Sequence, residues 1–222
     1  MKKILLAVSL LFLALAGSAA AADLKLKVVD KEPPKEVGGP IRALLSPKAF
    51  QLLDGDSPAY EFWWVKELTL QSKPGSVAKT MDAFRQTALL GVVAVPKAQR
   101  DYRDDDLAAG VYTMRFALQP TDGNHLGTAE FPYFALLVPA KTDTAVDGIP
   151  TYKALTKASS KDTTTDHPVL LSLRPAASEV TEPKLNEPAP EHKSVRVAVP
   201  AKAGEEKTTA SFEIVYEGKG KK

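Results

Sequence analysis

The 222-residue chain contains no cysteine. That absence excludes disulfide scaffolds, thiol catalysis, thiolate zinc sites, cupredoxin-type copper and cysteine-ligated iron–sulfur centres, each of which needs a thiolate or a cystine. Histidine is scarce too, with three residues, at positions 125, 167 and 192. No Gly-x-Ser-x-Gly elbow, His-Glu-x-x-His pair, Gly-x-x-x-x-Gly-Lys-Ser/Thr loop or Gly-x-Gly-x-x-Gly turn occurs, so the commonest nucleophile, zinc-protease and phosphate-cradling devices are missing. Carboxylates are plentiful, but a glycosidase needs two of them fixed across a cleft. An enzyme is therefore not the expected reading, and no cofactor is expected. There is no internal repeat of the kind that builds solenoids and propellers.

What is present begins with an export pattern. Lys2 and Lys3 precede an apolar run, Ile4 to Ala16, followed by small residues through Ala22. The run is 13 residues long, short of the roughly 18 a spanning helix needs, and Ala20 and Ala22 suit signal peptidase. Residues 1–22 are expected to be a signal peptide cleaved after Ala22, giving a protein exported to the periplasm or the extracellular space, with no membrane span in the mature chain. Loss of Lys2 and Lys3 leaves 27 basic and 27 acidic side chains. That balance removes the electrostatic case for nucleic-acid binding. Without cysteine, the mature chain must rest on packing alone, which its length allows.

Period-two alternation dominates the rest. In Val111 to Leu118, Tyr112, Met114, Phe116 and Leu118 share one face and Thr113 and Arg115 the other, as in a half-buried strand. Similar patterns occur at Leu24-Leu26-Val28, Tyr60-Phe62-Trp64, Val169-Leu171-Leu173, Val195-Val197-Val199 and Phe212-Ile214-Tyr216. Leu89 to Val95 and Tyr133 to Val138 are almost continuously apolar, which suits strands covered on both faces. Helical periodicity is confined to Thr151 to Ser159 and a possible turn near Met81 to Gln86. These features predict an all-β chain, an antiparallel β-sandwich of immunoglobulin-like or transthyretin-like architecture with one short helix. The expected organisation is a sandwich domain over 23–175, a Pro/Glu-rich loop or linker over 176–193, a hairpin over 194–217 packing on or beside the sandwich and turning at Ala203-Gly204-Glu205, and a disordered tail over 218–222.

The central block Asp101-Tyr102-Arg103, Gly110-Val111-Tyr112-Thr113-Met114-Arg115 and Gln119-Pro120-Thr121-Asp122-Gly123-Asn124-His125-Leu126-Gly127-Thr128 resembles a family of uncharacterised secreted bacterial proteins. The likeness continues through Phe134 to Ala140 and to His167-Pro168. It implies a shared fold and export from a bacterium, and no activity.

Candidate chemistry lies mainly in loops. Asp122, His125, Asp166 and His167 could form a mixed nitrogen and oxygen site for zinc or copper if the fold brings their loops together; the competing and stronger reading is that Asp and Asn here shape turns. Asp101, Asp104, Asp105 and Asp106, and separately Asp54-Gly55-Asp56, offer hard oxygens for calcium, but neither matches a complete calcium loop, so solvated turns are expected. Trp63 and Trp64 must face opposite sides of a strand. Trp64 belongs with Tyr60 and Phe62 in the core, which leaves Trp63 for a second layer, a partner or stacking on a sugar. The function expected is a non-catalytic exported binding or structural module acting on an unknown protein or cell-envelope component. A metal-binding protein and a carbohydrate-binding module are the alternatives.

Overall fold

The computed structural model describes residues 24–122, 125, 128–161, 167–218 and 220; the expected signal peptide lies outside them. In chain order the elements are β1 (Lys25–Asp30), α1 (Gly39–Ala43), β2 (Lys48–Asp54), β3 (Ser57–Trp64), β4 (Leu68–Leu70), a 3₁₀ turn (Val77–Ala83), β5 (Leu89–Val95), β6 (Gln99–Arg100), β7 (Asp106–Leu107), β8 (Gly110–Leu118), β9 (Tyr133–Pro139), α2 (Tyr152–Ser159), β10 (Leu170–Pro175), β11 (Lys184–Ala189), β12 (His192–Ala203) and β13 (Glu206–Glu217). The chain is mostly β, as its alternation predicts.

Local chemistry accounts for several boundaries. The Thr151 hydroxyl accepts a hydrogen bond from the Ala154 amide at 3.1 Å and caps α2, satisfying one of the orphan donors at a helix start. Gly55 and Gly204 take positive φ at +59° in the two-residue turns that join β2 to β3 and β12 to β13. Asp54-Gly55-Asp56 is thus the corner of a hairpin, where glycine is favoured because the left-handed region costs it little.

The strands form one sheet in the order β1-β2-β3-β5-β8-β9-β10-β13-β12-β11, with β4 alongside β12. Every pair on that path is antiparallel; β4 alone pairs in parallel, Leu68 opposite Ala201. The hydrogen-bonded path is continuous and curls on itself. Trp64 on β3 meets Phe212 on β13 edge-on at 5.4 Å between ring centroids, and Tyr60 lies 6.1 Å from Tyr216, although four strands separate β3 from β13 along the path. A row of rings crosses the interior of the curl, from Tyr133 through Phe116, Phe84 and Phe212 to Trp64, Phe62 and Tyr60. The indole Nε1 of Trp64 is the one buried side-chain polar atom without a hydrogen-bond partner among the described residues.

A second layer covers the outside of the sheet. Val37, Ile41 and Leu45, from the segment after β1, belong to the same buried cluster as Trp63. Leu155 and Tyr152 of α2 pack with Leu136, Val138, Leu170 and Val215 in a smaller cluster. Structure and sequence reading differ in three places. First, a second short helix, α1, stands at Gly39–Ala43 where none is read from the sequence, and the turn read near Met81 to Gln86 is a 3₁₀ turn over Val77–Ala83. Second, the 176–193 stretch contains an edge strand, β11, because β12 supplies its ladder. Third, the tail is not wholly loose: the Gly220 amide donates to the Tyr102 carbonyl at 2.9 Å.

Candidate functional site

The buried charges lie on the outer face of the sheet. Arg115 on β8 and Asp143 are 0% and 1% exposed as side chains and meet in a two-pronged ion pair, Nε to Oδ2 at 2.8 Å and Nη2 to Oδ1 at 2.9 Å. The Thr113 hydroxyl donates to the same carboxylate, and the Arg115 guanidinium donates to the Ala145 carbonyl. The pair fastens the loop after β9 across β8. On the other half of the sheet Glu213 accepts from Ser194 Oγ at 2.7 Å, Asn186 Nδ2 at 3.0 Å and Arg196 Nε at 2.8 Å. Glu61 accepts from Lys31 Nζ at 2.7 Å and Gln51 Nε2 at 2.6 Å.

Asp101, expected in a solvated acidic turn, is buried instead. Its carboxylate accepts from the amides of Arg103 at 2.8 Å, Asp105 at 3.0 Å and Leu170 at 3.1 Å, so it ties the β6–β7 arm to β10. Arg100 and Arg103 pair with Asp106 and Asp105 at 3.0 and 3.6 Å. Burial pushes the Asp101 carboxyl up from 3.8 to about 6, against the three amide donors, which pull it down. The charged form is therefore disfavoured on folding. The contribution of this group to stability is fully present below pH 3.8 and is lost as pH rises through about 6. The gap corresponds to about 3 kcal/mol. Chemical denaturation at pH 4.5 and pH 7 is expected to show about 2 kcal/mol of this increment in the wild type, since the unfolded carboxyl is already largely ionised at pH 4.5, and its loss in Asp101→Asn; an equal pH dependence in both proteins would remove Asp101 as its source.

The sequence-predicted ligands come together only in part. His125 Nδ1 lies 2.5 Å from Asp122 Oδ1, and Gln119 Nε2 donates to the His125 carbonyl and to Thr128 Oγ1, both at 2.6 Å. Asp166 lies outside the described residues and His167 directly follows that gap. Among the described residues no three His, Asp or Glu side chains gather as a metal-binding group.

Trp63 is not available as a stacking surface. It is 1% exposed, its indole donates to the Lys31 carbonyl at 2.8 Å, and the Lys31 ammonium sits 5.7 Å above the ring. The sequence places Trp63 on the second face of β3 correctly, but the segment after β1 folds back over that face and removes it from solvent. The sugar-stacking assignment is corrected on that ground.

A cleft of about 260 Å³ lies elsewhere, at one end of the β8–β9 pair. Val111, Tyr112, Pro139, Ala140 and Val169 make an apolar floor, and Glu36, Asp106 and Lys141 stand around it. The Tyr112 hydroxyl donates to the Ala108 carbonyl at 2.8 Å and the Ser159 hydroxyl to the Val169 carbonyl at 3.0 Å, so two of its walls are fixed. Sequence reasoning did not find it. The only local signal is the run of small residues Ala108-Ala109-Gly110 ahead of a strand.

Comparisons of the chain with protein-family models, with curated proteins and with solved structures give no match.

Proposed function

We propose that this protein is an exported, non-catalytic binding or structural module of a bacterial envelope or secretome. The reading is carried by the use made of its buried charges: Arg115, Asp143, Asp101, Glu61 and Glu213 are each bonded to an opposite charge, a neutral side chain or main chain of a neighbouring segment. They act as fasteners of loops on a sheet, while an apolar-floored cleft remains open. Describing the curled sheet as an immunoglobulin-like or transthyretin-like sandwich is part of the proposal and carries no function. Export is supported by the Lys2 to Ala22 pattern; among the described residues no helix is long and apolar enough to cross a membrane. The balanced charge of the mature chain favours a protein or envelope partner over nucleic acid. Fractionation of cells expressing the full chain, with intact-mass analysis of the product, is expected to give a periplasmic or secreted species starting at Asp23. An uncleaved cytoplasmic product would refute export.

The Asp122–His125 contact favours a second reading, a metal-binding protein. Metal analysis of the untagged protein, dialysed against zinc, copper and calcium separately, is expected to show no stoichiometric retention. Near-stoichiometric metal, lost in His125→Ala, would replace the leading reading with this one.

A further inference from the structure

We propose that the segment after β13 is a strap: Gly218 and Gly220 seat in a slot between Tyr102, Thr128 and His192, and the seated strap locks the arm of β6 and β7 onto the main sheet. The lock does not depend on the module reading.

The arm needs such a lock because β6 and β7 form a two-stranded sheet of their own, so the main ladder does not set their place. Tyr102, between them, is the joint. Its amide donates to the Leu170 carbonyl at 3.2 Å and its carbonyl accepts from the Gly220 amide at 2.9 Å, while the neighbouring Asp101 carboxylate accepts from the Leu170 amide. Its ring is buried in one cluster with Phe134, Leu136 and Val215. His192 Nδ1 lies 2.9 Å from the Pro190 carbonyl, which can only accept. Nδ1 therefore carries the proton, and in the neutral ring Nε2 accepts from the Tyr102 hydroxyl at 3.4 Å. The strap thus grips a residue already held by β10 and by the start of β12.

The slot has no room for a side chain at either glycine. A Cβ on Gly218 would stand 2.6 Å from His192 Cδ2, and one on Gly220 would stand 2.8 Å from the Thr128 carbonyl oxygen and 3.1 Å from Tyr102 Cε1, all closer than the roughly 3.5–4.0 Å at which carbon atoms pack. Gly218 also has φ of +141°, a backbone region open mainly to glycine. Neither wall yields readily. His192 is held by the Pro190 carbonyl, and the Thr128 hydroxyl accepts from Gln119 Nε2 at 2.6 Å and donates to the His125 carbonyl at 2.9 Å. Tyr102, Gln119 and Thr128 all belong to the central block that stands out in the sequence, so the two ends of that block meet at the strap. Asp106, Ala108 and Ala109, at the far end of the arm, wall the cleft beside β8. Releasing the strap frees that wall.

The test compares amide hydrogen exchange in the mature protein, in a chain ending at Glu217 and in Gly220→Val. Both changes are expected to speed exchange at Tyr102 and across 105–109 about tenfold, the upper range of one hydrogen bond's net worth. Exchange in β8 and β9 and the melting temperature are expected to stay as in the wild type. The double variant Lys221→Ala, Lys222→Ala keeps both glycines and is expected to exchange as the wild type does. Unchanged exchange across 101–109 in the shortened chain would overturn the strap. Wild-type exchange in Gly220→Val would overturn the slot. So would a double lysine variant that exchanges as fast as the shortened chain, because charge and not fit would then hold the segment. Quickening spread evenly over the main sheet would overturn the local lock.

Discussion

Asp143→Ala is expected to lower the unfolding free energy by about 3–5 kcal/mol, because it leaves the Arg115 guanidinium charged and buried without its counter-ion. Both side chains are essentially inaccessible, so water cannot take over the lost hydrogen bonds without opening the loop. The damage should centre there. The Ala145 amide donates to Asp143 Oδ1 at 3.1 Å, and Thr87 Oγ1 donates to the Ile149 carbonyl at 2.7 Å. Hydrogen exchange is expected to quicken across 143–149 before it does so in β8 and β9. Arg115→Met is expected to cost a similar amount, whereas the double variant Arg115→Met, Asp143→Leu should recover much of the loss, since a buried pair is expensive to desolvate and an apolar pair of similar volume is not. Urea denaturation of the wild type, Arg115→Met, Asp143→Leu and the double variant measures the coupling. Single variants that lose less than about 1 kcal/mol, the range of an exposed pair, would show that the loop opens at little cost.

Trp63→Ala is expected to cost about 3–5 kcal/mol, the range for deleting a large buried aromatic side chain. The vacated space would lie within the main buried cluster, and the Lys31 carbonyl would lose its indole donor. Trp63→Phe should cost less, since it keeps a ring in place and loses mainly that hydrogen bond, about 1–3 kcal/mol. The pair of variants also separates two functions for this residue. A Trp63→Ala protein of undiminished stability that no longer binds an oligosaccharide recognised by the wild type would restore the sugar-stacking role. Loss of stability with no sugar binding in either protein is the expected result.

Much of the candidate chemistry was legible as residue type and not as environment. Asp101 reads as one acid among four in a polar turn, yet the Leu170 amide from a strand 69 residues away reaches it. Arg115 alternates with the apolar residues of β8 and so reads as outward-facing, which it is; that the outward face is covered depends on Asp143, 28 residues on. The Asp122–His125 contact, three residues apart, was foreseen as a neighbourhood because it is local. The cleft was not, because a space lined by several segments leaves no pattern in any one of them.

The sequence by itself determined the strands that rest on local alternation, the doubly covered runs Leu89 to Val95 and Tyr133 to Val138, the short helix near Thr151 to Ser159 and the hairpin turn at Gly204. These depend on interactions within a few residues, where side-chain period and backbone preference are written directly into the chain. Only the tertiary structure decided that the sheet is continuous and curls until β3 packs against β13, that β11 gains strand form from its pairing with β12, and that Trp63, Asp101 and Arg115 are interior. Alternation tells which side of a strand a residue occupies. Whether that side meets water depends on segments distant in the chain that fold back over it.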